Sequence, residues 1–251
     1  MLVKKNFWMR SRNREENDRT RSRICIFGNS HAASLKLAWD QLTKDHPDRE
    51  LVFFAARGLD LRFLRVSGNA LVTNKPRVAE SISFTSGGAD RVEVDGFDAF
   101  VTYALALMVP DMDRRLSSAV KTQACRDVLD RSLNLRICHM IRKVRDAPIY
   151  VGHNPQRASS DDLPSEQMTY AEVRALLAKE LDVAGAQLIA QPPETLVNGW
   201  NTKPELAKDS TRLDIGDKRS NEPHPEDDVS HMNMDFGRAY LEHLFREVAV
   251  S

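Results

Sequence analysis

The chain has 251 residues, with 36 basic and 36 acidic side chains, 41% hydrophobic residues and three cysteines. That is an ordinary globular composition, enough for one large domain or two small ones, and it excludes collagen-like and low-complexity chains. Zero net charge excludes an acidic solvating chain and a strongly basic nucleic-acid binder. Cys25, Cys125 and Cys138 are too widely spaced for a disulfide framework or a metal knuckle, and they suit a reducing compartment.

Residues 1–23 carry eight Lys/Arg against three Asp/Glu, a net +5 that leaves −5 on the rest, and they lack apolar periodicity. This zone reads as a disordered basic tail preceding an α/β domain at 24–251. No apolar run of signal-peptide length follows the basic start, and Phe100–Val109 is about half of what a bilayer needs. The expectation is a cytoplasmic protein with neither a membrane nor a nucleic-acid partner. A tail-driven nucleic-acid binder is the minor alternative.

Beyond the tail, Ile24–Gly28 is a short continuous apolar run and reads as a buried strand. Helical spacing follows from Ser30 to Leu42. Leu51–Ala56 is a second strand closed by a turn at Gly58, and Ser81–Asp95, two alternating runs around Gly87-Gly88-Ala89-Asp90, reads as an inserted β-hairpin. Phe97–Leu107 contains a third strand, and Arg114–Val144 is a long, broken helical stretch. Pro148–Gly152 is a fourth strand, Thr169–Ala184 a helix, Gln187–Gln191 a fifth strand and His231–Ala249 a closing amphipathic helix. Short apolar strands alternating with helices predict a parallel sheet covered on both faces, a three-layer α/β/α sandwich. Asn201–Asp228 is polar and Pro-punctuated and reads as a long surface loop, a class that tends to carry function.

Chemistry concentrates in two places. In Gly28-Asn29-Ser30-His31 a serine stands at the end of the first strand, where ligands gather in open parallel sheets and helix N-terminal N–H groups favour negative charge. Asp228-Val229-Ser230-His231, before the last helix, offers a base with a carboxylate three residues away to fix its tautomer. Each pair alone also reads as ordinary helix capping. Their joint occurrence at the first strand and last helix points to nucleophilic catalysis.

Gly28–His31 (GNSH) and Asp228–Asn233 (DVSHMN) resemble the first and last blocks of the SGNH (GDSL-like) hydrolase superfamily, over about residues 24–249. The resemblance implies a five-stranded, flavodoxin-like sheet, no cofactor, and a triad of Ser30 as nucleophile, His231 as base and Asp228 as orienting acid. It also implies an oxyanion hole from the N–H groups of Ser30 and Gly58. Two positions depart from the family pattern. Asn29 replaces the usual Asp, and the third-block Asn is absent from Tyr103-Ala104-Leu105-Ala106. A missing oxyanion donor costs about a hundredfold in rate. Asn154 or Asn69 are the candidates to replace it.

His31 and His153 are candidate substrate contacts. Trp200 in the long loop reads either as a stacking platform for a sugar ring or as a plug beneath the loop. His224, Asp227 and Asp228 superficially suggest a metal, but no HxH or HExxH spacing accompanies them, so none is expected. No phosphate-cradling GxxxxGK[ST] or GxGxxG is present. The resulting expectation is a serine esterase or O-acyl hydrolase acting on a small-molecule or glycan ester. A transferase would use the same residues, and the alternative is a catalytically weak or inactive module that binds a glycan or protein.

Overall fold

The computed structural model describes residues 21–248. Five strands form one parallel sheet: β1 (Ser22–Gly28), β2 (Arg49–Ala55), β6 (Ala99–Tyr103), β7 (Ile149–Gly152) and β8 (Gln187–Ile189), in the order β2-β1-β6-β7-β8. The order reverses between β1 and β6, and such a switch point opens a crevice beyond the strands' carboxyl ends.

Strand β1 shows why the sheet is covered twice. Ile24 and Ile26 join one core cluster, Cys25 and Phe27 the other, and all four are fully buried. The Ile24 side is covered by α1 (Ala32–Leu42) and α6 (Met234–Glu247). The Cys25 side is covered by α2 (Pro76–Ser86), α3 (Ser118–Arg131), α4 (Leu133–Arg142) and α5 (Tyr170–Val183). The fold is the expected three-layer α/β/α sandwich. The three cysteines are free and buried. No helix among the described residues is long and apolar enough to cross a membrane.

Two expectations change. The insertion between the second and third sheet strands does contain a hairpin, but its strands are β3 (Arg65–Ser67) and β4 (Ala70–Val72), joined by Gly68-Asn69 and extended by β5 (Val92–Glu93). Ser81–Ser86 belongs to α2. Its alternation also fits a helical period that buries Val78, Ile82 and Thr85, and Gly87 at φ 80° caps the helix instead of turning a hairpin. The tail is also shorter than expected at its inner end. Strand β1 starts at Ser22, and Arg23 is tied to Glu50, Gly96 and Asp98. Residues 1–20 of the expected tail lie outside the described residues.

Candidate active site

Strand β1 ends at Gly28, where a Cβ would lie 2.5 Å from Ala32 Cβ, so the tight entry into α1 requires glycine. This turn presents Ser30. The helix is not capped by it: no side chain caps α1 at His31, and Ser30 Oγ is 2.9 Å from His231 Nε2. His231 Nδ1 is 2.9 Å from Asp228 Oδ2, while Asp228 Oδ1 accepts the N–H groups of Ser230 and His231. Nor does this pair cap the last helix, whose cap is Asn233. Both capping readings therefore give way to a continuous hydrogen-bonded line from serine to carboxylate.

Burial pushes the Asp228 carboxyl up, but the N–H donors of His231 and Ser230 and the His231 ring outweigh it and hold it at about 2. An ionised carboxylate at Nδ1 fixes the His231 proton there and leaves Nε2 as the acceptor facing Ser30.

Sequence reasoning missed the surroundings of His231. Its ring is sandwiched. His31 stacks on one side, with centroids 4.6 Å apart and planes 18° apart, and His224 on another, at 3.9 Å and 10°. His224 Nδ1 approaches the same Asp228 oxygen at 3.3 Å. Burial, then the neighbouring His231, lowers His31 to about 3 and His224 to about 4, so both rings stay neutral. No periodicity encodes this arrangement, because His224 arrives from an irregular loop.

His224, Asp228 and His231 place ligand atoms within 4.8 Å of one another. Stacked imidazoles, however, carry their lone pairs in near-parallel planes. Two such nitrogens cannot both point at one ion about 2 Å away. The set fits hydrogen bonding to the carboxylate, and Asp227 is not part of it.

The remaining expected residues divide. Gly58 turns at φ 61° after β2, and among the described residues neither its N–H nor that of Ser30 has an intramolecular acceptor. Arg57 beside it binds Asp217 at 2.6 Å and the Leu213 carbonyl, tying this turn to the long loop. Asn154 Nδ2 is 3.0 Å from His31 Nε2, which brings it to the site but commits one amide proton. Asn69 is spent on Asp95. His153 is buried, and its two ring nitrogens engage the Asn154 carbonyl and Tyr170 Oη, leaving none for a substrate. Trp200 is half-buried against the core and lines a cleft of about 650 Å³ with Asp111, Arg157, Gln167, Asn201 and Val229, the last adjoining Asp228.

Strand β6 runs into Ala104, Leu105 and Ala106, three consecutive residues at φ 64°, 45° and 65°. Gly28 pairs with Tyr103, so this left-handed turn leaves the sheet beside the serine turn.

No family model and no curated protein sequence matches the chain. Among solved structures it is similar to the periplasmic domain of a lipopolysaccharide acetyltransferase from Salmonella ser. Paratyphi A, at 12% identity and a TM-score of 0.46, over 90% of this chain and 83% of that one. The likeness is one of chain trace. The cytoplasmic expectation is not kept: the similar structure is itself a periplasmic domain, and the lack of a membrane-crossing helix among the described residues speaks to no compartment.

Proposed function

We propose that the chain is a serine acyl hydrolase of the SGNH type, acting on an acylated polar molecule. The observation that carries this reading is the unbroken line from Ser30 Oγ through His231 Nε2 and Nδ1 to Asp228 Oδ2, its two hydrogen bonds each 2.9 Å. His231 takes the Ser30 proton as Oγ attacks the acyl carbonyl, and Asp228 stabilises the imidazolium that forms. The N–H groups of Ser30 and Gly58 receive the oxyanion. The alcohol leaves with the proton returned by His231, and water then attacks the acyl-enzyme by the same route. An acceptor hydroxyl in place of that water would make the same residues a transferase. The cleft beside Val229, lined by Trp200, carboxylates and amides, suits a polar or sugar alcohol better than a long lipid.

A second reading, a binding module without turnover, draws on the missing third-block Asn and the commitment of Asn154 to His31. One experiment separates the two. A fluorophosphonate probe is applied to the wild type and to Ser30→Ala, with p-nitrophenyl acetate turnover in parallel. Labelling that vanishes in Ser30→Ala and in His231→Ala supports the enzyme. A wild type that neither labels nor turns over ester overturns it in favour of the module.

A further inference from the structure

The loop residues Glu222, Pro223, Pro225, Glu226 and Asp227 are exposed, yet the His224 side chain among them is only 4% exposed. Its backbone is fixed: His224 N–H donates to the Ser210 carbonyl, and Thr211 bridges Pro223. Arg57 and Arg212 further secure this loop through Asp217, the Leu213 carbonyl and Glu222. A solvent-facing segment therefore delivers one buried ring, and that ring lies flat on His231. His31, fixed through Asn154, stacks on His231 as well.

We propose that His224 and His31 are positioning residues that clamp the His231 ring between two aromatic faces, holding Nε2 on the Ser30 hydroxyl. The inference rests on the hydrolase reading above. A ring hydrogen-bonded only through Nδ1 and Nε2 remains free to rock about the line joining its partners, and flanking planes remove that freedom. Being neutral, the two faces do not repel the imidazolium as it forms. Their π clouds attract it, as an aromatic face attracts a cation. The clamp therefore acts on the charged state reached after proton transfer more than on the resting one, and its loss falls on kcat.

The test compares His224→Ala, His224→Leu and His224→Phe in the full chain, using p-nitrophenyl acetate turnover, the rate of fluorophosphonate labelling and a thermal melt. The expected result for Ala and Leu is a fall of about tenfold in kcat and labelling rate, with KM within about twofold. Phe, which restores a planar face without the imidazole nitrogens, recovers most of the loss. If Phe is no better than Leu, or if Ala matches the wild type, the clamp is wrong. Should Ala melt below the assay temperature, the Leu–Phe comparison decides, since both fill the space and only one is planar. A wild type that fails to label overturns the hydrolase reading itself, whereas a labelling wild type with indifferent variants overturns the clamp alone.

Discussion

Gly237 lies in α6, where it faces α1, and a Cβ at this position would sit 2.0 Å from the Ser34 carbonyl oxygen and 2.4 Å from its carbon. Both are backbone atoms that cannot swing away, so Gly237→Ala must part the two helices by about 1 Å to reach a tolerable contact. Helix α1 follows the Ser30 turn, and α6 begins three residues after His231. Transmitted along those elements, the shift takes the Ser30–His231 contact from 2.9 Å to about 3.9 Å, beyond hydrogen-bonding range. Overpacking of this kind costs about 1–3 kcal/mol in stability. A reacting group misplaced by about 1 Å costs about a hundredfold in rate. The measurement is fluorophosphonate labelling and ester turnover of Gly237→Ala beside a thermal melt. A variant that stays folded at the assay temperature and labels at the wild-type rate refutes a coupling of the α1–α6 contact to the distance between Ser30 and its proposed base His231.

Three further outcomes follow from the same geometry. His31, His153 and His224 are held neutral by burial at about 3, 4 and 4, against about 6.5 in an unfolded chain. Their depressed values make the native state most favoured above about 6.5, with that contribution lost as pH falls towards 4 and below. Urea unfolding should therefore show stability declining from pH 7 to 4, and a flat profile contradicts it. Tyr170→Phe removes the hydroxyl that contacts His153 Nε2 at 2.7 Å and accepts the Gln191 N–H at 2.6 Å. It should cost about 1–3 kcal/mol while leaving the Ser30 labelling rate intact, and a selective loss of labelling would place His153 in the chemistry after all. Ala106→Gly relieves a left-handed residue that is exposed and packs little, and should raise stability by about 0.5–1 kcal/mol in the same unfolding assay, an unchanged midpoint being the refuting result.

The sheet was legible because each central strand is apolar on both faces, so Ile24–Phe27 reads the same in sequence as it sits between two cores. The serine and the Asp-His pair were legible because local spacing constrains them: Asp228 and His231 can meet only across their own turn. The insertion was not. Ser81-Ile82-Ser83-Phe84 satisfies both a period of two and a helical period, and only the burial of Val78 and Ile82 against the core decides between them. The actual hairpin did announce itself in Gly68-Asn69, a glycine-first pair suited to a two-residue turn, but its strands are too short to show alternation. His153 failed as a substrate contact because its partner Tyr170 is 17 residues away on a helix. The imidazole stack was out of reach for the same reason: ring on ring across an irregular loop leaves no local trace.

Ser30 and His231 are separated by 201 residues of chain, nearly the whole of the described span. His231 is carried into place by the segment leading into α6, which packs against α1. A polypeptide that has emerged only as far as β8 therefore holds Ser30 without its proposed base, however complete its sheet. On the hydrolase reading, the Ser30 hydroxyl lacks its base until α6 docks, and loses it again wherever α6 comes away. On the same reading, a probe of this serine's reactivity also gauges the docking of α6.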